Sequence, residues 1–301
     1  MLLASSLLAD LRYGFRQLRL NPGFAAIAVV CLACTLMGAA PRILVHGHRG
    51  ARAMRPENTL PAFQYAISIG VDVLELDMAV TKDNVIVVSH DPYLHPPVCS
   101  GNVEKATIHE LTLAEVKQWD CGKVRNPGFA KQTPIEGTRM PTLEEVFALA
   151  PGNDVQFNIE TKSFVDHPEL TPPPEEFARL VLELIRKHKL ENRVMLQSFD
   201  FRTLRAMKKL APEIRRVALW EGADRDFVSI AQDAEATIVS PAYRLVTPEK
   251  VSAAHAAGLQ VVPWTADRPA DWDKLVAAQV DAIITDDPAE LIGYLKGKGL
   301  R

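Results

Sequence analysis

Glu75 and Asp77 stand two apart in the apolar run VDVLELDM (71–78), and Glu160 and Lys162 repeat that spacing at the end of VQFNIET (155–161). In an extended strand, residues i and i+2 project from the same face, so each pair shares one side of its strand. Two carboxylates side by side in an apolar interior are costly unless something positive neutralises them. A divalent cation held by Glu75, Asp77 and Glu160 meets that need. Three hard oxygen ligands and no cysteine favour Mg²⁺ or Ca²⁺ over zinc. Other polar residues end apolar runs in the same way: His46-Gly47-His48-Arg49-Gly50, His90-Asp91, Gln197, Trp264 and Thr285-Asp286.

The elements that must carry these residues repeat along the chain. Short β-rich runs lie at 43–48, 71–78, 85–90, 155–161, 193–199, 214–220, 236–241, 259–265 and 281–286. Between most of them are amphipathic stretches such as 174–190, whose apolar positions recur at three and four. Helices are also expected at 248–257, closed by Gly258, and at 271–279. Alternation of strand and helix implies a parallel sheet, and about eight such units close into a (β/α)8 TIM barrel. Nine runs leave one in surplus. Only residues 79–84 separate the second from the third, too few for a parallel crossover, so these two are expected to form an antiparallel hairpin. That hairpin would bring His90 back beside Asp77. The alternative reading makes 85–90 a barrel strand in its own right. On either reading, the polar residues gather at the C-terminal strand ends, where barrel enzymes keep their active sites.

One long connection, 92–153, interrupts the alternation, with helical patterns at 111–119 and 141–150. Insertions of this length in a compact domain are usually functional. Cys99 and Cys121, the two cysteines of the soluble part, both fall within it. They read either as a disulfide formed in an oxidising compartment or as two free thiols.

Five short motifs in order, HRG (48–50), ENT (57–59), ELD (75–77), HD (90–91) and IETK (159–162), resemble the glycerophosphodiester phosphodiesterases. The resemblance spans residues ~43–295. It implies a barrel related to that of phosphatidylinositol-specific phospholipases C, acting on small glycerophosphodiesters to give glycerol 3-phosphate and an alcohol. Carried over by motif, His48 and His90 are the general base and acid, and Glu75, Asp77 and Glu160 the metal ligands. Arg49 and Lys162 would contact phosphate, and Glu57 and Asn58 would support the site from beside the metal. Imidazole, with an ordinary pKa of about 6.5, suits proton transfer in both directions. A rival within the same barrel acts on lysophospholipids or phosphoinositides; a rival of another class is a non-catalytic binding barrel, which the complete motif set argues against.

The remaining polar positions have plainer readings. His46 is expected to be structural. Asp91 either orients His90 or caps the next turn. Gln197, Phe199 and Trp264 shape the substrate pocket or simply pack, and Asp286 is expected to cap the helix 288–296.

The chain has 301 residues, enough for one barrel of about 250 preceded by a short leader. A formal net charge of −3 without a long basic run gives no reason to expect nucleic acid. Residues 1–41 form the leader. Residues 24–40 are uncharged, and Arg12, Arg16 and Arg19 precede them. That flank predicts export of the rest, by an N-terminal apolar helix kept as a membrane anchor or by a signal removed after Ala40. Residues 10–24 and the apolar run that follows them also resemble the start of macrolide-export-type permease subunits, over about thirty residues of the N-terminus. The enzyme domain is therefore placed at 42–301, facing the periplasm.

Overall fold

The computed structural model describes residues 42–301. The leader, with its expected helix and its transporter-like segment, lies outside the described residues.

All nine expected runs form strands. They are β1 (Leu44–Gly47), β2 (Val73–Val80), β3 (Ile86–Val88), β6 (Gln156–Thr161), β7 (Val194–Ser198), β8 (Arg215–Trp220), β9 (Ile238–Pro241), β10 (Gln260–Val261) and β11 (Ala282–Thr285). Eight of them run parallel in the order β10-β9-β8-β7-β6-β2-β1-β11. No ladder joins β10 to β11, because Pro263 has no N–H to give and β10 stops short of it. Single hydrogen bonds complete the ring instead, from Asp281 N to Val261 O (3.0 Å) and from Ile284 N to Pro263 O (3.0 Å).

β3 is the antiparallel return arm that the short 79–84 connection requires, with Met78 opposite Val88 and Val80 opposite Ile86. The same register continues as Ser89 N donates to Asp77 O (3.0 Å). His90 therefore leaves the sheet one residue beyond Asp77's partner.

The helices between strands are α1 (Leu60–Ser68), α4 (Pro174–Lys187), α5 (Phe201–Leu210), α6 (Phe227–Ala234), α7 (Pro248–Ala256), α8 (Pro269–Ala277) and α9 (Pro288–Gly297). Their starts carry the capping chemistry of the sequence. Thr59 and Thr247 accept from backbone N–H groups of the first turn, and Pro61 and Pro248 stand within two residues of them. α4 buries Phe177, Ala178, Val181, Leu182 and Ile185 along one stripe.

Strand alternation divides the barrel into two packed regions. Outward residues of β2, namely Leu74, Leu76, Met78 and Val80, join the large core under the helices. Inward Val73 packs with Met195, Val217, Ile238 and Ile284 inside the ring. Each such side chain, fully buried, contributes roughly 1.5–3 kcal/mol. Above this apolar layer, the inward positions turn polar, and the site begins.

The insertion has a core of its own, built on Leu94, Ile108, Val116, Trp119 and Met140. Cys99 and Cys121 lie in it and are disulfide-bonded. A short hairpin, β4 (Tyr93–Leu94) with β5 (Ala106–Thr107), was not legible in the sequence. The two expected helices are single turns, α2 (Leu113–Val116) and α3 (Leu143–Phe147). Each opens on a capping box, Thr112 with Glu115 and Thr142 with Glu145. α2 ends early because Trp119 and Cys121 turn into the insertion core.

Candidate active site

The first motif residue leaves β1 through a turn that only its glycines allow. Arg49 and Gly50 both have positive φ, 50° and 85°. A Cβ on Gly50 would lie 2.8 Å from Ala62 C and Cβ, and one on Gly47 would lie 2.1 Å from Gly50 O. The turn aims the Arg49 N–H at Glu75 Oε2 (2.9 Å) and leaves His48 over the mouth of the barrel.

Glu75 and Asp77 project inward from β2, and Glu160 lies opposite Asp77 on β6. One carboxylate oxygen from each lies within 4.8 Å of the other two. Their orientation is fixed by amides. Asn58 Nδ2 donates to Asp77 Oδ2 (2.9 Å), and Gln197 Nε2 donates to Glu75 Oε1 (2.6 Å). Gln197 is in turn held by Asn158 Nδ2 (2.8 Å). Gln197 thus bears on a carboxylate as well as lining the cavity.

Arg49 and Lys162, expected as phosphate contacts, are also engaged with carboxylates. Arg49 pairs with Glu57 (2.5 Å) and lies 3.3 Å from Asp77. Lys162 Nζ bridges Glu160 (2.8 Å) and Asp77 (3.1 Å). These two protein cations thus offset part of the charge of the cluster. Even so, Glu57, Glu75, Asp77 and Glu160 exceed the two cations by two charges. Burial first, and then the charge of Asp77, raise the Glu75 carboxyl well above its ordinary range. Burial raises Glu160 too, against the pull of Lys162. Against its own burial, Asp77 is held well below the ordinary range by Lys162 and Arg49. A buried all-oxygen donor set with two uncompensated charges fits a hard divalent cation.

His48 Nδ1 lies 2.5 Å from Asp286 Oδ1, and Arg52 Nε donates to the same oxygen (2.7 Å). An ionised carboxylate only accepts, so the His48 proton sits on Nδ1 and the other nitrogen, Nε2, lies 3.9 Å from Glu75 Oε2. Burial pushes the ring down to about 4 although Asp286 opposes the shift. Asp286 itself, despite burial, is held down to about 2 by His48 and Arg52. The expected helix cap is thus misplaced by one residue. Asp287 caps α9, accepting from Glu290 N (3.1 Å), and Asp286 is free to hold His48.

His90 is arranged the same way, its Nδ1 2.8 Å from Asp91 Oδ1, with its side chain 37% exposed against 10% for His48. Asp91 therefore orients its neighbour. His46, buried two residues deeper, is pushed down to about 3 by burial and by Arg215, and stays neutral. It is not among the cavity residues, in keeping with a structural role.

His48, His90, Glu75, Glu160 and Lys162 line one cavity of about 220 Å³. Arg52 joins Arg49 on its cationic side. Two aromatic residues also line it: Phe199 and Trp264 meet edge to face at 5.5 Å, and Trp264 Nε1 is anchored on Ser240 O (2.9 Å). A larger space, about 560 Å³, lies between the hairpin turn and α4, but its aliphatic and ion-paired lining converges on nothing. Sequence reasoning missed Arg52, Asn158 and the role of Asp286. Only Asp286 left a signal, since two consecutive aspartates precede Pro288 and one suffices as a cap.

Residues 48–290 match the glycerophosphoryl diester phosphodiesterase family. A glycerophosphodiester phosphodiesterase of Caldanaerobacter subterraneus subsp. tengcongensis is 35% identical over 263 residues, covering 86% of this chain and 100% of that protein. A crystal structure of a Silicibacter pomeroyi protein superposes with a TM-score of 0.80 at 29% identity, covering 86% of this chain and 95% of that one. An Oleispira antarctica phosphodiesterase, solved with the product sn-glycerol-3-phosphate, shares the fold at a TM-score of 0.73 and 24% identity, over 85% of this chain and 97% of its own. With its motifs brought together on one barrel mouth, the chain belongs to the glycerophosphoryl diester phosphodiesterase family.

Proposed function

We propose that this enzyme hydrolyses glycerophosphodiesters to glycerol 3-phosphate and an alcohol with His48 as general base and His90 as general acid. The supporting observation is that two carboxylate-held histidines line one cavity with Glu75 and Glu160 of the three-carboxylate cluster. Glu75, Asp77 and Glu160 would hold Mg²⁺ or Ca²⁺, which when bound supplies positive charge to the phosphoryl oxygens.

His48, neutral through burial, takes the proton of the glycerol hydroxyl next to the ester on Nε2. That oxygen bonds to phosphorus as the bond to the alcohol breaks, and His90 gives its Nε2 proton to the departing oxygen. Water then opens the cyclic phosphate, with the two histidines exchanging roles. Asp286 and Asp91 each accept from the Nδ1–H of their ring, so that Nε2 is the nitrogen that takes the proton on His48 and gives it on His90. Arg49, Arg52 and Lys162 place positive charge where the phosphate becomes more negative.

Lysophospholipids are a second substrate class, favoured by one observation. Phe199 is 45% exposed at the cavity rim beside Trp264, an apolar surface suited to a longer chain. The apolar run at 24–40 with its arginine flank supports export, and the Cys99–Cys121 bond suits an oxidising compartment. Membrane attachment would rest on that run, because no helix among the described residues is long and apolar enough to cross a bilayer.

The test is release of glycerol 3-phosphate from a panel of glycerophosphodiesters, with release of choline and lysophosphatidic acid followed for lysophosphatidylcholine. Exhaustive chelation should abolish release, and Mg²⁺ or Ca²⁺ should restore it. Full activity after chelation would refute the metal assignment.

A further inference from the structure

Asp91 touches two histidines. Its Oδ1 meets His90 Nδ1, and its Oδ2 lies 2.9 Å from Nε2 of His95, in the loop just after β4. The other nitrogen of His95, Nδ1, lies 2.8 Å from the carbonyl oxygen of Pro96. We propose that His95 is a positioning residue for His90: an imidazolium clamped between the Pro96 carbonyl and Asp91, it fixes the shared carboxylate and sets how readily His90 gives up its proton. The inference rests on the reading of His90 as the general acid.

The argument is one of donors and acceptors. A carbonyl oxygen can only accept. Hydrogen bonds from His90 and His95 hold the Asp91 carboxyl well below its ordinary range, so it too only accepts. Both nitrogens of His95 must then carry protons, and a ring with two N–H groups is a cation. The charged groups acting on His95 are Asp91, on its own loop, and Lys105, on the segment leading into β5. Lys105 Nζ lies over the Tyr93 ring at 3.5 Å. Burial and Lys105 disfavour the cation, yet the Pro96 carbonyl and Asp91 outweigh them and the ring is shifted up.

The consequence reaches the reaction through the carboxylate. With His95 charged, Asp91 divides its charge between two rings. Without it, the whole carboxylate stabilises the protonated form of His90, which then parts with its proton less readily.

Two measurements on the full chain with Mg²⁺ test this. The first is the ring ¹⁵N resonances of His95 in the unaltered protein at pH 7, which should be those of an imidazolium; a neutral ring overturns the proposal without recourse to any variant. The second is the pH profile of kcat/KM for His95→Gln, which retains a donor toward Asp91 and removes the charge. Its high-pH limb should move up by about half a unit, the size expected for one charge acting across a solvated carboxylate. KM should change little, and kcat on the plateau below that limb should fall, because the protonated ring is the weaker acid. A profile superimposable on the original overturns the proposal, even if the variant melts earlier, because a packing role alters stability without moving the limb. Failure of the underlying reading shows separately, as activity retained in His90→Ala.

Discussion

Asp286→Asn isolates one charge with almost no change of shape. Asp286 Oδ1 receives both the His48 ring at 2.5 Å and Arg52 Nε at 2.7 Å. An asparagine oxygen can still accept from these groups, but the charge that stabilises His48 as it takes a proton is gone. If the amide turns its NH2 toward the ring, Nδ1 must accept and the proton moves to Nε2, where it blocks base catalysis. Loss of one charge-assisted contact in the transition state, with part of the population in the wrong tautomer, corresponds to about 3–5 kcal/mol, or ~10²–10⁴ in kcat. Stability should change as well. The folded carboxyl sits at about 2. An unfolded one sits near 3.9, so the depressed value stabilises the fold by roughly 2–3 kcal/mol above pH 4. That contribution is lost as pH falls from about 4 toward 2, and the variant should lack this acid-sensitive increment. The assay is steady-state glycerol 3-phosphate release alongside calorimetric titration with Mg²⁺. A fall in kcat with unchanged metal affinity is expected, since Asp286 is not one of the three clustered carboxylates. A variant within threefold of the original kcat would refute the role. So would a loss explained entirely by weaker metal binding.

Two further outcomes follow from the scaffold. Replacing Cys99 by Ser, or reducing its bond to Cys121, reopens a loop of 22 residues. This should cost about 3 kcal/mol in urea unfolding on the chain-entropy account, and an unchanged midpoint would count against it. Gly50→Ala forces a Cβ to 2.8 Å from the α1 backbone at a φ of 85°. A loss of at least ~2 kcal/mol with displacement of Arg49 should follow; a thermal midpoint equal to that of the original protein would show that the turn relaxes freely.

Short β-rich runs were enough to place all nine sheet strands, because barrel strands are covered on both faces and read as apolar stretches, β2 being buried throughout. The antiparallel return of β3 was a matter of counting residues between runs. The clustering of Glu75, Asp77 and Glu160 followed from strand faces alone. What escaped depends on distances in three dimensions. Asp286 is 238 residues from His48, and only closure of the barrel by β11 beside β1 brings them together. Asn158 read as an ordinary strand residue until Gln197 needed a donor. His95 stands in a loop with no period to betray it, and α2 and α3 were overcalled because a capping box marks where a helix starts and says little about where it stops.

On the proposed assignment, the two histidines share a chemistry and differ in surroundings, and that difference would separate acid from base. His48 is secluded, with its Nδ1 tied to a carboxylate that also serves Arg52, so burial keeps it neutral and ready to accept. His90 stands on the return arm of a hairpin with over a third of its side chain exposed, where it can exchange protons with water after each turnover. A proton donor must be recharged, and a base must be kept uncharged until its substrate arrives. The barrel would satisfy both by placing one ring on a strand end inside its mouth and the other on an arm outside the ring of parallel strands.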